Sequence, residues 1–256
     1  MHYILIILIY STLYSYDDKD KEINKNVSSI IHLQYGFLFP NNNSEFFEIY
    51  KKDLGGFKSN FNYKPSLSIS NKFIYNNDFR VGILVSRYSY DFYEEYEQLI
   101  IPNTLFYRNI IQNISINDYP VLGIMEYIPR KENQFKSYVG LATGILVSKV
   151  YWEEEISTFD WDQRRGGIVY DNLFYYPMIS IYFGTELGFD KKNKESFLGG
   201  LTIEPRINYI YRKMDFFSPV NKQIPDAYFG INREIWINNF IFELNLGLTL
   251  NFYIKK

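Results

Sequence analysis

Along residues 240–254 every second side chain is large and apolar: Phe240, Phe242, Leu244, Leu246, Leu248, Leu250, Phe252 and Ile254. Between them stand Ile241, Glu243, Asn245, Gly247, Thr249, Asn251 and Tyr253. Period-two alternation predicts a β-strand with one apolar face and one mainly polar face. A strand of a soluble domain runs about 5–6 residues, whereas about 9–11 tilted residues cross a bilayer. This run is long enough for the second role.

The same alternation predicts seven more strands, at 29–39, 57–70, 79–90, 119–129, 135–148, 174–189 and 197–212. Strand 79–90 sets Phe79, Val81, Ile83 and Val85 against Arg80, Gly82, Leu84 and Ser86. In 197–212, Leu201, Ile203, Ile207 and Tyr209 oppose Thr202, Glu204, Arg206 and Asn208. Connections 40–56, 91–118, 149–173 and 213–239 are long, and 71–78, 130–134 and 190–196 are short. Long and short alternate without a break, as in barrels with short periplasmic turns and longer outer loops. A ten-strand count would add 101–111 and 227–237, with a tight turn at Asn238–Asn239. It would put long loops in the periplasm, so eight is preferred, with 227–237 extending the last strand above the membrane.

The prediction is therefore all-β: an eight-stranded antiparallel up-and-down transmembrane β-barrel with long extracellular loops and short periplasmic turns. In hydrocarbon every backbone donor and acceptor needs an internal partner, so strands cross only as a closed sheet. Eight strands leave a lumen just wide enough for side chains. Inward parity gives that lumen glycines and six charges: Lys64, Arg80, Glu186, Glu204, Arg206 and Glu243. Three positive and three negative groups are expected to pair there as a structural ion network. Pro65, Pro177 and Pro205 lack an amide donor in a sheet without edges, so bulges or local weakening are expected. Arg87 has lipid-facing parity near the outer end of its strand, where it costs about 0–1 kcal/mol.

Residues 3–10 form a short apolar core before small residues and the charged stretch 17–26. This is too short for a membrane helix and suits a secretory signal. The expected division is a signal at 1–15, a periplasmic lead-in at 16–28 and the barrel at 29–256. Composition agrees: 25 Tyr and 22 Phe make up much of the 20% aromatic content, and tyrosine collects where hydrocarbon meets water. The net charge of −2 offers no basic stripe for nucleic acid. Without cysteine there is no disulfide or thiolate chemistry.

The final strand, the eight alternating segments and the loop rhythm together resemble the small bacterial outer-membrane β-barrels of the OmpA/OmpX architectural type. The resemblance covers nearly the whole mature chain and carries no motif diagnostic of one family. One departure is that such barrels often end on an aromatic residue, whereas Ile254, Lys255 and Lys256 follow Tyr253 here. It implies location in the bacterial outer membrane, with membrane lipid and the barrel-assembly machinery as partners.

Candidate chemistry is sparse. His32, in IIHLQYG, is the one histidine of the expected mature chain and is placed inside the lumen. No signature of an acyl hydrolase, acyltransferase or omptin-like protease surrounds it. Asp160, Asp162 and 153–155 carry carboxylates, but no convergent metal set is expected. No enzyme activity and no cofactor are expected. Residues 44–54 place Phe47, Tyr50 and Leu54 at helical spacing and suit either a short helix on the membrane surface or a plain loop. The runs 88–97 and 151–162 interleave aromatics with acids, and Tyr90, Tyr93, Trp152 and Trp161 are the expected contact anchors. The reading is a barrel with a side-chain-filled lumen and a structural or surface-interaction role, meeting a host or envelope ligand at its outer loops. The alternatives are a barrel enzyme acting on lipid A or peptides, and a secreted lipocalin-like barrel with its apolar face inward.

Overall fold

A computed structural model describes residues 28–41, 43–74, 78–99, 107–131, 135–157, 164–189, 197–214 and 235–253. The expected signal, most of the lead-in, and Trp161, Asp160 and Asp162 lie outside the described residues. The elements in chain order are β1 (Ser28–Asn41), α1 (Ser44–Ile49), β2 (Asn62–Ile74), β3 (Phe79–Leu99), β4 (Tyr107–Lys131), β5 (Phe135–Ser157), β6 (Arg164–Gly188), β7 (Leu198–Ile210), β8 (Lys213–Met214), β9 (Ile235–Trp236) and β10 (Phe240–Tyr253). Eight of them close a barrel in the order β1-β10-β7-β6-β5-β4-β3-β2. Every neighbouring pair is antiparallel, and β1 closes against β10 through an unbroken register from Ser28–Tyr253 to Asn41–Phe240.

In the lower part of the wall the apolar parity faces out. Leu33, Phe37, Val81, Ile83, Val139, Leu141, Ile145, Ile181, Phe183, Ile203 and Leu246 are exposed. Their sequence neighbours His32, Gln34, Arg80, Tyr138, Glu204 and Asn245 are buried inside. In water this continuous band would exceed any apolar patch a monomeric soluble protein carries; against lipid tails it is satisfied. The fold is a transmembrane β-barrel, and the inward-apolar lipocalin-like alternative is excluded.

The prolines act unequally. The β2–β3 register shifts between Lys64 and Leu67, at Pro65, and the β4–β5 register shifts between Tyr127 and Arg130, at Pro129. At Pro205 the β6–β7 ladder skips from Tyr182–Arg206 to Thr185–Ile203 without changing register. Pro177 lies one residue beyond the last β6–β7 pair, Met178–Ile210, and its carbonyl accepts the Tyr211 amide at 3.1 Å. An amide is therefore missing where the ladder already ends or yields.

The largest correction concerns the loops. The expected loops 91–118 and 149–173 are mostly strand: β3 and β4 stay paired up to Leu99–Tyr107, and β5 and β6 up to Ser157–Arg164. β3 to β6 run 21–25 residues, whereas β1, β2, β7 and β10 run 13–14. About ten extra residues at 3.3 Å each raise one half of the wall roughly 30 Å along the strand direction. A second correction concerns residues 235–237, the described part of the expected extension 227–237. Ile235–Trp236 does not extend β10 but pairs with Lys213–Met214 as a separate two-stranded ribbon. Asn238, with φ 47°, then turns the chain into β10; asparagine tolerates that left-handed backbone better than most residues.

Candidate functional site: a sealed lumen and a raised outer sheet

Side chains of inward parity fill the lumen with charge. Four buried cations, Lys72, Arg80, Arg206 and Arg212, face five buried carboxylates, Asp118, Glu126, Glu186, Glu204 and Glu243. Lys136, half-exposed at the rim that carries the short turns, adds a further positive charge 3.3 Å from Glu186. Arg80 lies 3.2 Å from Glu186 and 3.7 Å from Glu126. Lys72 pairs with Glu126 and lies 4.0 Å from Glu204. Arg206 pairs with Glu204 and reaches Glu243 at 3.2 Å. Glu243 also accepts from Ser66 Oγ at 2.6 Å, Tyr88 at 3.0 Å and Asn208 at 3.3 Å. Buried ions need such multiple partners, because each carries a desolvation cost of several kcal/mol.

Two tyrosines complete this layer through glycines opposite them. Tyr138 pairs with Gly184 and Tyr182 with Gly140 across the β5–β6 ladder. A Cβ at Gly184 would meet the Tyr138 ring at 2.1 Å, and one at Gly140 would meet the Tyr182 ring at 2.1 Å. Each ring therefore lies flat over the other strand's glycine. Its hydroxyl then donates to a lumen carboxylate, Tyr138 to Glu204 at 2.8 Å and Tyr182 to Glu126 at 3.1 Å.

Of the six charges expected in the network, Arg80, Glu186, Glu204, Arg206 and Glu243 lie together in the lumen. Lys64 does not: the bulge at Pro65 reverses its parity, its side chain is 54% exposed, and it pairs with Asp91 on the outer surface. Sequence reading missed Lys72, which falls just past the predicted end of its strand, and Glu126, in the weakly alternating strand. Both carry inward parity, which was the available signal. His32 is fully buried, and its Nδ1 lies 3.0 Å from Lys72 Nζ. With an ammonium as donor, Nδ1 is the acceptor and the ring proton sits on Nε2.

Above the ion layer the contents of the lumen change. Arg212 donates to Asp118 at 2.7 Å and to the Tyr90 hydroxyl at 2.5 Å, while Tyr90 donates to Asp118. Over this triad the inner face of the raised sheet is mostly apolar: Phe92, Tyr96, Ile110, Ile114, Ile116, Val150 and Trp152 are all buried, with Glu94, Gln112 and Glu154 buried among them. Helix α1 covers it. Phe46 and Phe47 pack on Phe61 and Phe92 at ring distances of 5.0–6.1 Å. Residues 44–54 are thus a helix followed by one wide turn, ending at Gly55 with φ 77°, but they cap the barrel mouth rather than lie on the membrane. Glu94 fastens the cap, accepting from Tyr50 Oη at 2.6 Å and from the Phe57 and Lys58 amides at 3.0–3.3 Å.

Burial and the bond to Glu94 push the Tyr50 hydroxyl well above its usual pKa. Burial pushes Tyr63 and Tyr96 up to about 12. Tyr63 is also held between Asn43, which donates to it at 2.8 Å, and Asn238, which accepts at 3.0 Å.

The raised sheet corrects two expected contact residues. Tyr90 belongs to the triad, and Trp152 is fully buried with its indole N–H donating to Gln112 at 2.6 Å. Tyr93 is 56% exposed on the outer face. It lines a shallow groove of about 200 Å³ with Ile111, Asn113, Glu153 and Glu155. Glu95 accepts from Asn109 at 2.7 Å on the same face, and Glu153 accepts from Tyr151 at 3.1 Å. Among the described residues no group of three or more His, Cys, Asp or Glu is placed to hold a metal.

No protein-family model matches the chain, and no characterised protein matches it in sequence. Solved structures do align over most of its length. The outer membrane protein OprG from Pseudomonas aeruginosa is 11% identical with a TM-score of 0.42, covering 90% of this chain and 98% of that one. Neisserial surface protein A is 13% identical with a TM-score of 0.38, over 89% and 98%. Ail, the attachment invasion locus protein of Yersinia pestis, is 12% identical with a TM-score of 0.36, over 89% and 100%. At these identities the likeness is one of architecture. Lipid-facing surface, polar interior and closed eight-stranded wall make this chain a transmembrane β-barrel.

Proposed function

We propose that this barrel is a non-enzymatic surface-interaction protein that works through its raised sheet. The observation that carries the reading is the polarity of β3 to β6 above the membrane, with a mostly apolar inner face packed under α1 around buried Glu94, Gln112 and Glu154, and an outer face of acids and tyrosine. A sheet with its own core holds its outer face rigidly. That lowers the entropy lost when a partner binds. The lumen below is filled by ion pairs and covered by the aromatic cap, which supports a structural role for His32 and a non-conducting barrel.

Tyr93, Glu95, Glu153 and Glu155 favour a basic protein or peptide surface, with Tyr93 as the aromatic anchor. The test uses the barrel in lipid nanodiscs and a lysine-rich peptide, read by fluorescence anisotropy. Wild type is expected to bind with strong salt dependence. The combined variant Tyr93→Ala, Glu153→Gln, Glu155→Gln is expected to lose about tenfold in affinity. Equal binding by both proteins, or steady conductance through wild type in a planar bilayer, would overturn the reading.

A further inference from the structure

The outward positions of β2 to β6 form three successive rows at the top of the apolar band. The lowest holds Leu67 opposite Arg87 on β2 and β3, with Tyr119, Val147 and Tyr175 continuing it across β4 to β6. The next is Lys64, Ser89, Asn117, Lys149 and Leu173, each directly opposite the last. The highest includes Asp91 on β3 and Asp171 on β6. Outward, then, the wall passes from hydrocarbon-facing side chains to a tyrosine row, a lysine row and an acidic row. Tyrosine marks the headgroup boundary, so the lysine row stands at or just above the lipid phosphates.

Both lysines are already committed upward. Lys64 pairs with Asp91, and Lys149 lies 3.4 Å from Asp171. Arg87 is different. It is exposed, stands one row lower beside the tyrosines, and makes no ion pair or hydrogen bond among the described residues. No acid shares its row. A planar guanidinium at this depth is stabilised by an anion that accepts two of its N–H groups side by side, and the anion native to that depth is a lipid phosphate.

We infer that Arg87 binds the phosphate of an outer-leaflet lipid, with Tyr119 beside it against the lipid's boundary region. The barrel thereby carries a fixed lipid on its β3 flank, a site separate from the raised acidic face.

The test reconstitutes the full chain in phosphatidylcholine vesicles doped with a diphosphorylated glycolipid, lipid A, or with its phosphate-free form. Lipid retained on gentle detergent extraction is counted by native mass spectrometry, after heat-modifiable gel migration has shown each variant to be folded. Wild type is expected to retain the phosphorylated form over the other by about tenfold. Arg87→Gln should abolish that preference, Arg87→Lys should keep part of it, and Lys64→Gln should leave it within about twofold. The assignment fails if wild type shows no preference, if Arg87→Gln keeps it, or if Lys64→Gln removes it as fully. Displacement of the lipid by millimolar inorganic phosphate would mean a free-phosphate site and would also overturn it.

Discussion

The lower and upper halves of β3 to β6 are built from the same strands with opposite polarity. On β4, Tyr119, Val121 and Met125 face out with Leu122 and Glu126 inside; a few residues higher, Asn113, Ser115 and Asn117 face out with Ile114 and Ile116 inside. Parity does not change between the two zones, and only the chemistry on each side does. The crossover falls near Tyr88 on β3, Asp118 on β4 and Ser148 on β5, which share one level in register. A strand has no preferred solvent of its own. The lower half is a membrane protein with a polar core, and the upper half follows the rule of a soluble sheet, apolar in and polar out.

The comparison breaks most sharply in the two cores. Trp152→Ala in the raised sheet should cost about 3–5 kcal/mol, and Glu243→Ala in the lumen about 3–5 kcal/mol, because it removes one of Arg206's two carboxylates and the acceptor of Ser66, Tyr88 and Asn208. Denaturant unfolding of the barrel in detergent reads both, and limited proteolysis separates them. The first variant should expose the raised sheet while the barrel stays heat-modifiable, and the second should weaken the whole wall. If Trp152→Ala weakens the membrane zone as much, the two halves are a single cooperative unit. Next comes the outer surface. Ile145→Arg near mid-wall should cost about 2–4 kcal/mol, whereas Ser115→Arg, outward on the raised sheet, should change stability by less than about 0.5 kcal/mol. Equal effects in unfolding titrations would abolish the distinction.

A smaller effect tests the glycine–tyrosine pairs. Gly140→Ala places a methyl against the Tyr182 ring and should cost about 1–3 kcal/mol by overpacking. Replacing Tyr182 by leucine in the same chain should recover part of that loss, as a double-mutant cycle in urea would show. The smallest effect is one of pH. Tyr63 and Tyr96, held near 12 by burial, ionise near 10 in an unfolded chain. The folded state therefore keeps the proton longer, so its contribution is complete below about pH 10 and declines between about 10 and 12. Amide exchange in the raised sheet should accelerate over that window before exchange at the β1–β10 junction does.

The membrane zone was legible because lipid demands one pattern from every strand. The apolar run of β10 and the inward parity of Arg80, Glu204 and Arg206 follow from that demand alone. The raised zone reads as loop because the same test, apolar outward, fails there. Tyr88, Tyr90, Phe92, Glu94 and Tyr96 still alternate with Ser89, Asp91, Tyr93 and Glu95, and Ile110, Gln112, Ile114 and Ile116 keep step on β4. The period was present with its sign reversed. For the same reason Tyr90 and Trp152, aromatics set among acids, looked like contact residues when they are core. Lys64 was misplaced by a different cause, since a proline bulge resets parity and nothing in the residue types says which proline will do so: Pro65 and Pro129 shift the register, while Pro205 does not.

The first and last described strands meet along the low side of the wall, in fourteen consecutive couplings from Ser28–Tyr253 to Asn41–Phe240. These positions are the most distant in the chain, while β3–β4 and β5–β6 join near neighbours through brief links. Loop-closure entropy makes the distant union the most demanding step of assembly. The tall hairpins are the natural scaffold on which the cylinder is zipped shut, and its latch lies on the low side of the rim.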